Sequence, residues 1–326
     1  MQAYVPRRFL PLLNLNDEPA FERAGYWVPW QDLLVFELRG RRLREIRLPA
    51  LVNVKPIPRI DGWTPPPLLL PKGAKAAVIP ANPVDPGTRL GLRLFGKYLR
   101  YLSLFEERNF VKIEGTFEEY LDKFGGKARK NMRREVAVFR ELCGGESTVR
   151  VFSSPDEMAQ FQQIAVSISR KTYKAALGIT FLEDQDFLED TKEKARHGAV
   201  RGYVLYHGLQ PVGYAFCRIQ FENVHYMHIA HDPEYDRWSP GKVLLFLILE
   251  SLFSEHRYRY LDFGGGEQWY KRFYGNHKLM CARILYVPLF STLAPIVLGH
   301  YCFLALMRAA SATIRKLRRI ERENPD

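Results

Sequence analysis

Between residues 200 and 231 the chain carries three β-rich runs, 200–207, 210–221 and 224–231, joined by His207-Gly208 and Glu222-Asn223. Joints this short leave only hairpins, so the three runs form an antiparallel meander. An apolar helix over 240–256 follows directly, then a short strand, Tyr258–Phe263. A helical crossover of that length returns the chain parallel to a neighbouring strand. Upstream, Thr148–Phe152 reads as a strand. Ser154-Pro155-Asp156-Glu157 reads as a capping box that opens a helix running to about Lys174, and a second helix spans Asp184 to His197. Downstream, Gly264-Gly265-Gly266 leads to a short helix, 267–275, and a last strand, 279–287. The order from residue 148 is therefore β α α β β β α β α β. It predicts an α/β (α+β) fold, a mixed β-sheet with helices on both faces.

The first third of the chain reads differently. Fourteen of the 21 prolines precede residue 87. Each removes an N–H donor and fixes φ, which disfavours long helices and central strands. Pro65-Pro66-Pro67 and the Pro80–Pro86 stretch read as extended connectors, and residues 1–87 as an irregular or short-stranded lobe whose Phe21, Trp27, Trp30 and Trp63 pack on something. Thr116-Phe-Glu-Glu119 is a further capping box, before a short helix that stops at Gly125-Gly126. A basic helix, 127–142, ends at Gly144-Gly145. The division expected is a proline-rich lobe over 1–115, a domain over 116–288, and an apolar-then-basic helix over 289–326.

Composition narrows the function classes. Lys and Arg number 48 against 36 Asp and Glu, a net charge of +12, which suggests an anionic partner without choosing one. Cys143, Cys217, Cys281 and Cys302 lie far apart with no CxxC, which argues against a disulfide scaffold or zinc ribbon and fits a reducing compartment. Pro6 and Pro11 interrupt the start, so a cleaved leader is not expected and a cytoplasmic location is, with peripheral association on the inner face of the membrane as an extension of it. There is no GxxxxGK[ST], GxGxxG, GxSxG or HExxH.

Three segments carry a resemblance to a known family. They are Lys127-Ala-Arg-Lys-Asn-Met-Arg-Arg134, Tyr235-Asp-Arg-Trp-Ser-Pro-Gly-Lys242 before the apolar helix, and Leu261-Asp-Phe-Gly-Gly-Gly-Glu-Gln-Trp-Tyr-Lys-Arg272. Together with the element order they make residues 116–287 resemble the GNAT acyltransferases, in particular the CelD/BcsL-type acetyltransferases linked to cellulose and exopolysaccharide biosynthesis, themselves similar to the FemAB peptidyltransferases. Larger relatives carry a second, degenerate GNAT-like half where this chain has its proline-rich stretch. The resemblance implies an enzyme that takes an acyl group from acetyl-CoA or another acyl-CoA and passes it to an amine or hydroxyl acceptor, envelope-linked in this family.

Individual residues can be matched to that chemistry. Ser239, Pro240, Gly241 and Lys242 open a helix after a strand and a loop. Ser239 can cap, Pro240 suits the first turn, Gly241 admits a ligand close to the backbone and Lys242 adds charge, so the segment reads as an anion site. The resemblance implies that it holds the CoA pyrophosphate; the other reading is an ordinary capped helix. Asp262, at a strand end beside the triple glycine, can orient the acceptor or act as base. Tyr270 can serve as acid, and Lys271 can bind the acceptor or offset developing charge. Equally, Asp262 can cap the turn while Tyr270 packs and Lys271 is solvated.

His225, His228 and His231 recur at spacing three. Strict strand alternation puts His225 and His231 on one face and His228 on the other, which disfavours a three-His metal site, and no metal is expected. His228 is then the favoured single base, against a buried packing role. Arg129, Lys130 and Arg133 on the basic helix can bind CoA, an anionic acceptor or tRNA phosphates, or form a solvated face. The tail, 293–307, is apolar for about 15 residues, short of the roughly 20 that a membrane span needs. It is then basic, so a docked helix or one lying on an anionic membrane is expected. The alternatives are FemAB-like transfer of an amino acid from aminoacyl-tRNA, and a non-catalytic basic module that binds membrane or nucleic acid.

Overall fold

A computed structural model describes residues 27–38, 41–53, 75–85, 87–145, 148–178, 180–220 and 222–323. Phe21 and Trp63 lie outside these residues, as does the Pro65-Pro66-Pro67 run. The described residues fall into two compact units, one of residues 107–279 and one of residues 27–106 with 280–323. In chain order the strands are β1 (Trp27–Leu38), β2 (Arg41–Asn53), β3 (Ala77–Pro83), β4 (Gly91–Phe95), β5 (Tyr98–Lys112), β6 (Thr148–Phe152), β7 (Val200–His207), β8 (Gln210–Gln220), β9 (Asn223–His231), β10 (Tyr260–Asp262) and β11 (His277–Pro288). The helices are α1 (Phe117–Leu121), α2 (Gly126–Leu142), α3 (Met158–Lys171), α4 (Gln185–Arg196), α5 (Pro240–Glu255), α6 (Trp269–Tyr274) and α7 (Ala294–Glu323).

In the first unit β6, β7, β8 and β9 form the antiparallel meander expected from the short joints. β10 then pairs parallel with β9 on one side and antiparallel with β5 on the other. Alternate residues of these strands feed two cores. Tyr203, Ala215, Cys217 and Val224 pack with α2 and α5, while Val204, Tyr214 and Phe216 pack with α3 and α4. The result is a mixed sheet covered on both faces, the α/β architecture expected. α5 is apolar nearly all round and buries Val243, Leu244, Ile248, Leu249 and Leu252, as a helix without a polar face must. Gly202 lies where Phe161 crosses the sheet. A Cβ there would stand 2.3 Å from Phe161 Cδ2, so only glycine admits the ring.

Three local expectations are corrected. The proline-rich lobe is not short-stranded, since β1 and β2 are 12 and 13 residues long. Their prolines sit where a missing N–H costs little. β1 is the edge strand among those described, and Pro49 of β2 lies outside Leu51–Val52, the stretch shared with β3. Pro80 falls where the β3–β11 register shifts, so the Pro80–Pro83 part of the segment read as a connector belongs to a bulged strand, and Pro86 lies outside the described residues. Second, the Ser154 capping box forms only in part. Glu157 accepts from the Ser153 and Ser154 N–H groups at 3.1 and 3.2 Å, but the Ser154 hydroxyl donates to the same carboxylate, and α3 starts at Met158 and ends at Lys171. The Thr116–Glu119 box is complete.

The third correction concerns the histidines of β9. Tyr226 pairs with Cys217 and His228 with Phe216, leaving Met227 unopposed. This bulge reverses the alternation. His225 and His228 therefore share the α3–α4 face, and His231 turns to the other.

The second unit holds β1–β2–β3–β11 and the β4–β5 hairpin. Within it Leu34, Leu48, Val78, Leu285 and Val287 form a core, on which α7 docks through Leu293, Ala294 and Val297. His300 is buried there between the Tyr101 hydroxyl, 2.8 Å from Nδ1, and the Val35 carbonyl, 3.0 Å from Nε2. Among the described residues no helix is long and apolar enough to cross a membrane.

Candidate active site

The parallel pairing of β9 with β10 covers only Asn223–His225 against Tyr260–Asp262. β10 ends there, while β9 runs on to His231. The two strands part at Asp262, and the edge of β9 from Tyr226 onward is left without β10 as a partner. Sheets rarely open inside a domain, because each exposed N–H and C=O needs another partner. A notch of this kind is a place for a ligand to pair with the backbone.

Asp262 stands at the notch and is 2% exposed. Its Oδ1 accepts the Gly264 N–H at 2.8 Å, and Oδ2 lies 3.3 Å from His225 Nδ1 and 3.5 Å from Arg108 Nη1. Burial alone would raise its pKa. The His225 hydrogen bond and charge, the Arg108 guanidinium and the Gly264 N–H outweigh that and hold the carboxyl below its ordinary value. Asp262 is thus a firmly ionised anchor and a weak base. His225 is the group that it orients. With Nδ1 facing Asp262, Nε2 is left as the second ring nitrogen, buried and without a hydrogen-bond partner. The sequence reading missed both His225 and Arg108. Position three of a nine-residue strand gives no signal of its own, and only the bulge at Met227 reveals that His225 and His228 share a face.

The other expected residues are placed as follows. His228 packs edge-on to Phe181, with ring centroids 5.7 Å apart, and against Phe216, in the α3–α4 core. Tyr270 lies edge-on to Phe263 at 5.7 Å, and burial pushes its hydroxyl up to about 12. Lys271 is buried and donates to the Gly265 carbonyl, so it ties α6 back onto the glycine loop. Arg129 pairs with Asp122 and Arg133 with Glu118, all on the exposed side of α1 and α2, and Lys130 is exposed.

At the far end of β9 the chain turns through a 3-10 segment, Pro233–Trp238, into α5. Ser239 does not cap with its side chain. It adopts a left-handed conformation, φ 51° and ψ 47°, and its carbonyl accepts the Lys242 and Val243 N–H groups. A serine held there costs about 1–2 kcal/mol, strain of the kind that gathers at functional sites. Asp232, fully buried, is fixed by Lys171 at 2.5 Å and caps Glu234 N–H. Lys242 bonds Glu135 of α2 at 2.8 Å and sits 6.0 Å from the Trp269 ring centroid, so part of its charge is already offset. A Cβ on Gly241 would approach His231 Nδ1 to 3.3 Å. Ser239, Pro240, Gly241 and Lys242 thus stand together at the start of α5, with Gly241 packed closely against the His231 ring.

Residues 126–272 match the family model described as an acetyltransferase (GNAT) domain. The sheet with helices on both faces agrees with it, and the chain carries an enzyme domain of the acyltransferase type. No curated protein matches the chain. Among solved structures, FemX is 12% identical, covering 86% of this chain and 97% of that one with a TM-score of 0.48. A conserved protein of unknown function from Bacteroides thetaiotaomicron is 9% identical over 59% of this chain, with a TM-score of 0.42. The C-terminal domain of a putative lysylphosphatidylglycerol synthetase from Agrobacterium fabrum is 13% identical over 64% of this chain, at 0.43. The chain spans 63% of the Bacteroides protein and 67% of the Agrobacterium domain.

Proposed function

We propose that the domain over 116–288 transfers an acyl group from acetyl-CoA or another acyl-CoA to an amine or hydroxyl of a cell-envelope, polysaccharide or lipid-linked acceptor, as the CelD/BcsL-type acetyltransferases do. The observation that carries this reading is the open parallel pair. The notch between β9 and β10 has the Asp262–His225 pair at its base, and the Ser239–Lys242 turn lies where β9 ends. An acyl-CoA pantetheine arm carries amide groups that can pair with the free edge of β9. Its pyrophosphate would meet the α5 N-terminus, where Gly241 exposes backbone N–H without a side chain and Lys242 supplies charge.

In this scheme Asp262 holds the His225 tautomer that presents Nε2 as acceptor. The acceptor amine or hydroxyl attacks the thioester carbonyl while its proton passes to Nε2. The new C–N or C–O bond forms and the C–S bond breaks. The imidazolium, stabilised by Asp262, then returns its proton to the thiolate sulfur. Tyr270, with a hydroxyl near 12, stays protonated at neutral pH and serves as a hydrogen-bond donor to the leaving sulfur rather than as a full acid. Lys271 shapes the glycine loop that positions Asp262.

The test is release of free CoA thiol from acetyl-CoA with a panel of amines, sugars and lipid-linked saccharides, in wild type and His225→Gln. Turnover that needs His225 supports the reading. Transfer from aminoacyl-tRNA with no thioester turnover would replace the donor with the FemAB-type one, and liposome or RNA binding that survives Asp262→Ala without any turnover would leave a non-catalytic basic module.

A further inference from the structure

In the second unit a cavity of about 700 Å³ lies against the β4–β5 hairpin and the loop before it, lined by Asp85, Gly87, Thr88, Arg89, Gly91, Arg93, Arg100 and Leu102. That volume is of ligand size. Its lining is the one place in the hairpin where like charges face each other. Arg93 and Arg100 are direct cross-strand partners, and Gly91 with Leu102 is the next pair on the same face. Two cations directly opposite destabilise a strand pair, since their Cβ atoms lie only about 5 Å apart. Neither forms an ion pair with any described carboxylate, and the same holds for Arg89. Arg100 is half-buried beside the Tyr286 hydroxyl, and its Nε is buried without a hydrogen-bond partner. Gly91 has nothing within 4 Å of its Cβ position, so the space beside the arginine pair is open. The Thr88 N–H closes a turn on the Asp85 carbonyl at 2.9 Å, which shapes the loop over the cavity.

Arg89, Arg93 and Asp85 are exposed and Arg100 is half-buried, so the unsatisfied group is the Arg100 Nε, and the excess of guanidinium over carboxylate around it favours an anion. Three positive charges less one leave +2 at the cavity. A phosphate monoester carries about −1.5 to −2 at neutral pH and offers three acceptor oxygens, which suit guanidinium forks. We propose that this cavity binds the phosphate monoester of an organic ligand on Arg89, Arg93 and Arg100. A free phosphorylated metabolite and a lipid phosphate headgroup share that chemistry. The proposal does not rest on the acyl-CoA reading, because no CoA is needed to test it.

The test is calorimetric titration of inorganic phosphate and glucose 6-phosphate, and co-sedimentation with phosphatidylcholine vesicles with and without phosphatidic acid. Wild type, Arg93→Gln and Arg89→Gln are compared, each checked for unchanged folding by thermal melting. Saturable binding, weakened about tenfold or more by either variant and by added salt, is expected. Binding of glucose 6-phosphate places the ligand among free organic phosphates, and binding only to phosphatidic acid vesicles places it on a lipid. Without ligand, Arg93→Gln is expected to melt no lower than wild type, since it removes the facing charge. No saturable binding to any probe at millimolar concentration, or binding that Arg93→Gln and Arg89→Gln leave unchanged, overturns the proposal.

Discussion

The His225 imidazole and the Asp262 carboxylate meet at the last rung of the parallel pairing between β9 and β10, with Nδ1 3.3 Å from Oδ2. Beyond that rung the strands part, so the pair marks the inner end of the notch. Arg108 and the Gly264 N–H complete the carboxylate's partners.

Breaking this cluster has two separable consequences. His225→Gln is expected to lower kcat on the order of 10²–10⁴ while leaving CoA affinity near wild type. Asp262→Asn is expected to lower kcat as well and also to destabilise the fold by about 3–5 kcal/mol, because it leaves Arg108 beside a neutral group in a buried site. Steady-state kinetics and denaturant unfolding separate them. Equal kcat in both variants and wild type would remove the pair from the reaction.

Packing at Gly202 yields a prediction independent of function. Gly202→Ala drives a methyl group into Phe161, which is 1% exposed, and is expected to cost at least about 1–3 kcal/mol. Phe161→Leu in the same chain should recover part of that loss. A double mutant no more stable than the worse single mutant would show that the clash is not the cause.

His300 makes stability depend on pH. Burial lowers its pKa most, the Val35 carbonyl bond opposes that, and the Arg283 charge adds to the lowering. The folded ring is therefore neutral, accepting from Tyr101 and donating to Val35. In the unfolded chain it titrates near about 6.5. A lowered folded pKa means that its contribution is complete above about pH 6.5 and is lost as the pH falls below it. Wild type should therefore lose stability against His300→Gln between about pH 7 and 5 in urea titrations. A difference that stays constant across that range would contradict the buried neutral ring.

Much of the domain's architecture was legible from local signals. The meander follows from two short joints, the crossover from an apolar helix of the right length, and α1 from a complete capping box. The failures share a cause, which is that a partner strand or turn overrode a local pattern. Alternation predicted the faces of the β9 histidines correctly until Met227, where the pairing with β8 skips a residue that nothing in the sequence marks. Pro29, Pro49 and Pro80 argued against long strands, yet an edge, an unshared stretch and a register shift accommodate them. Ser239 has the composition of a cap, but the turn from the 3-10 segment forces it left-handed and turns its hydroxyl out of that role. The Ser239–Lys242 segment itself was readable, whereas the Asp262–His225 pairing depends on a contact between β9 and β10 that only the fold makes.

The most direct measurement is calorimetric titration of CoA and acetyl-CoA into wild type and Gly241→Asp. The substitution puts a carboxylate at the first turn of α5, where the pyrophosphate would sit, and its Cβ, 3.3 Å from His231 Nδ1, requires that exposed ring to shift by a few tenths of an ångström. The account predicts saturable binding to wild type and a loss of at least about tenfold in the variant, with the melting temperature little changed. Equal affinity in both proteins, or no binding to wild type, would contradict it.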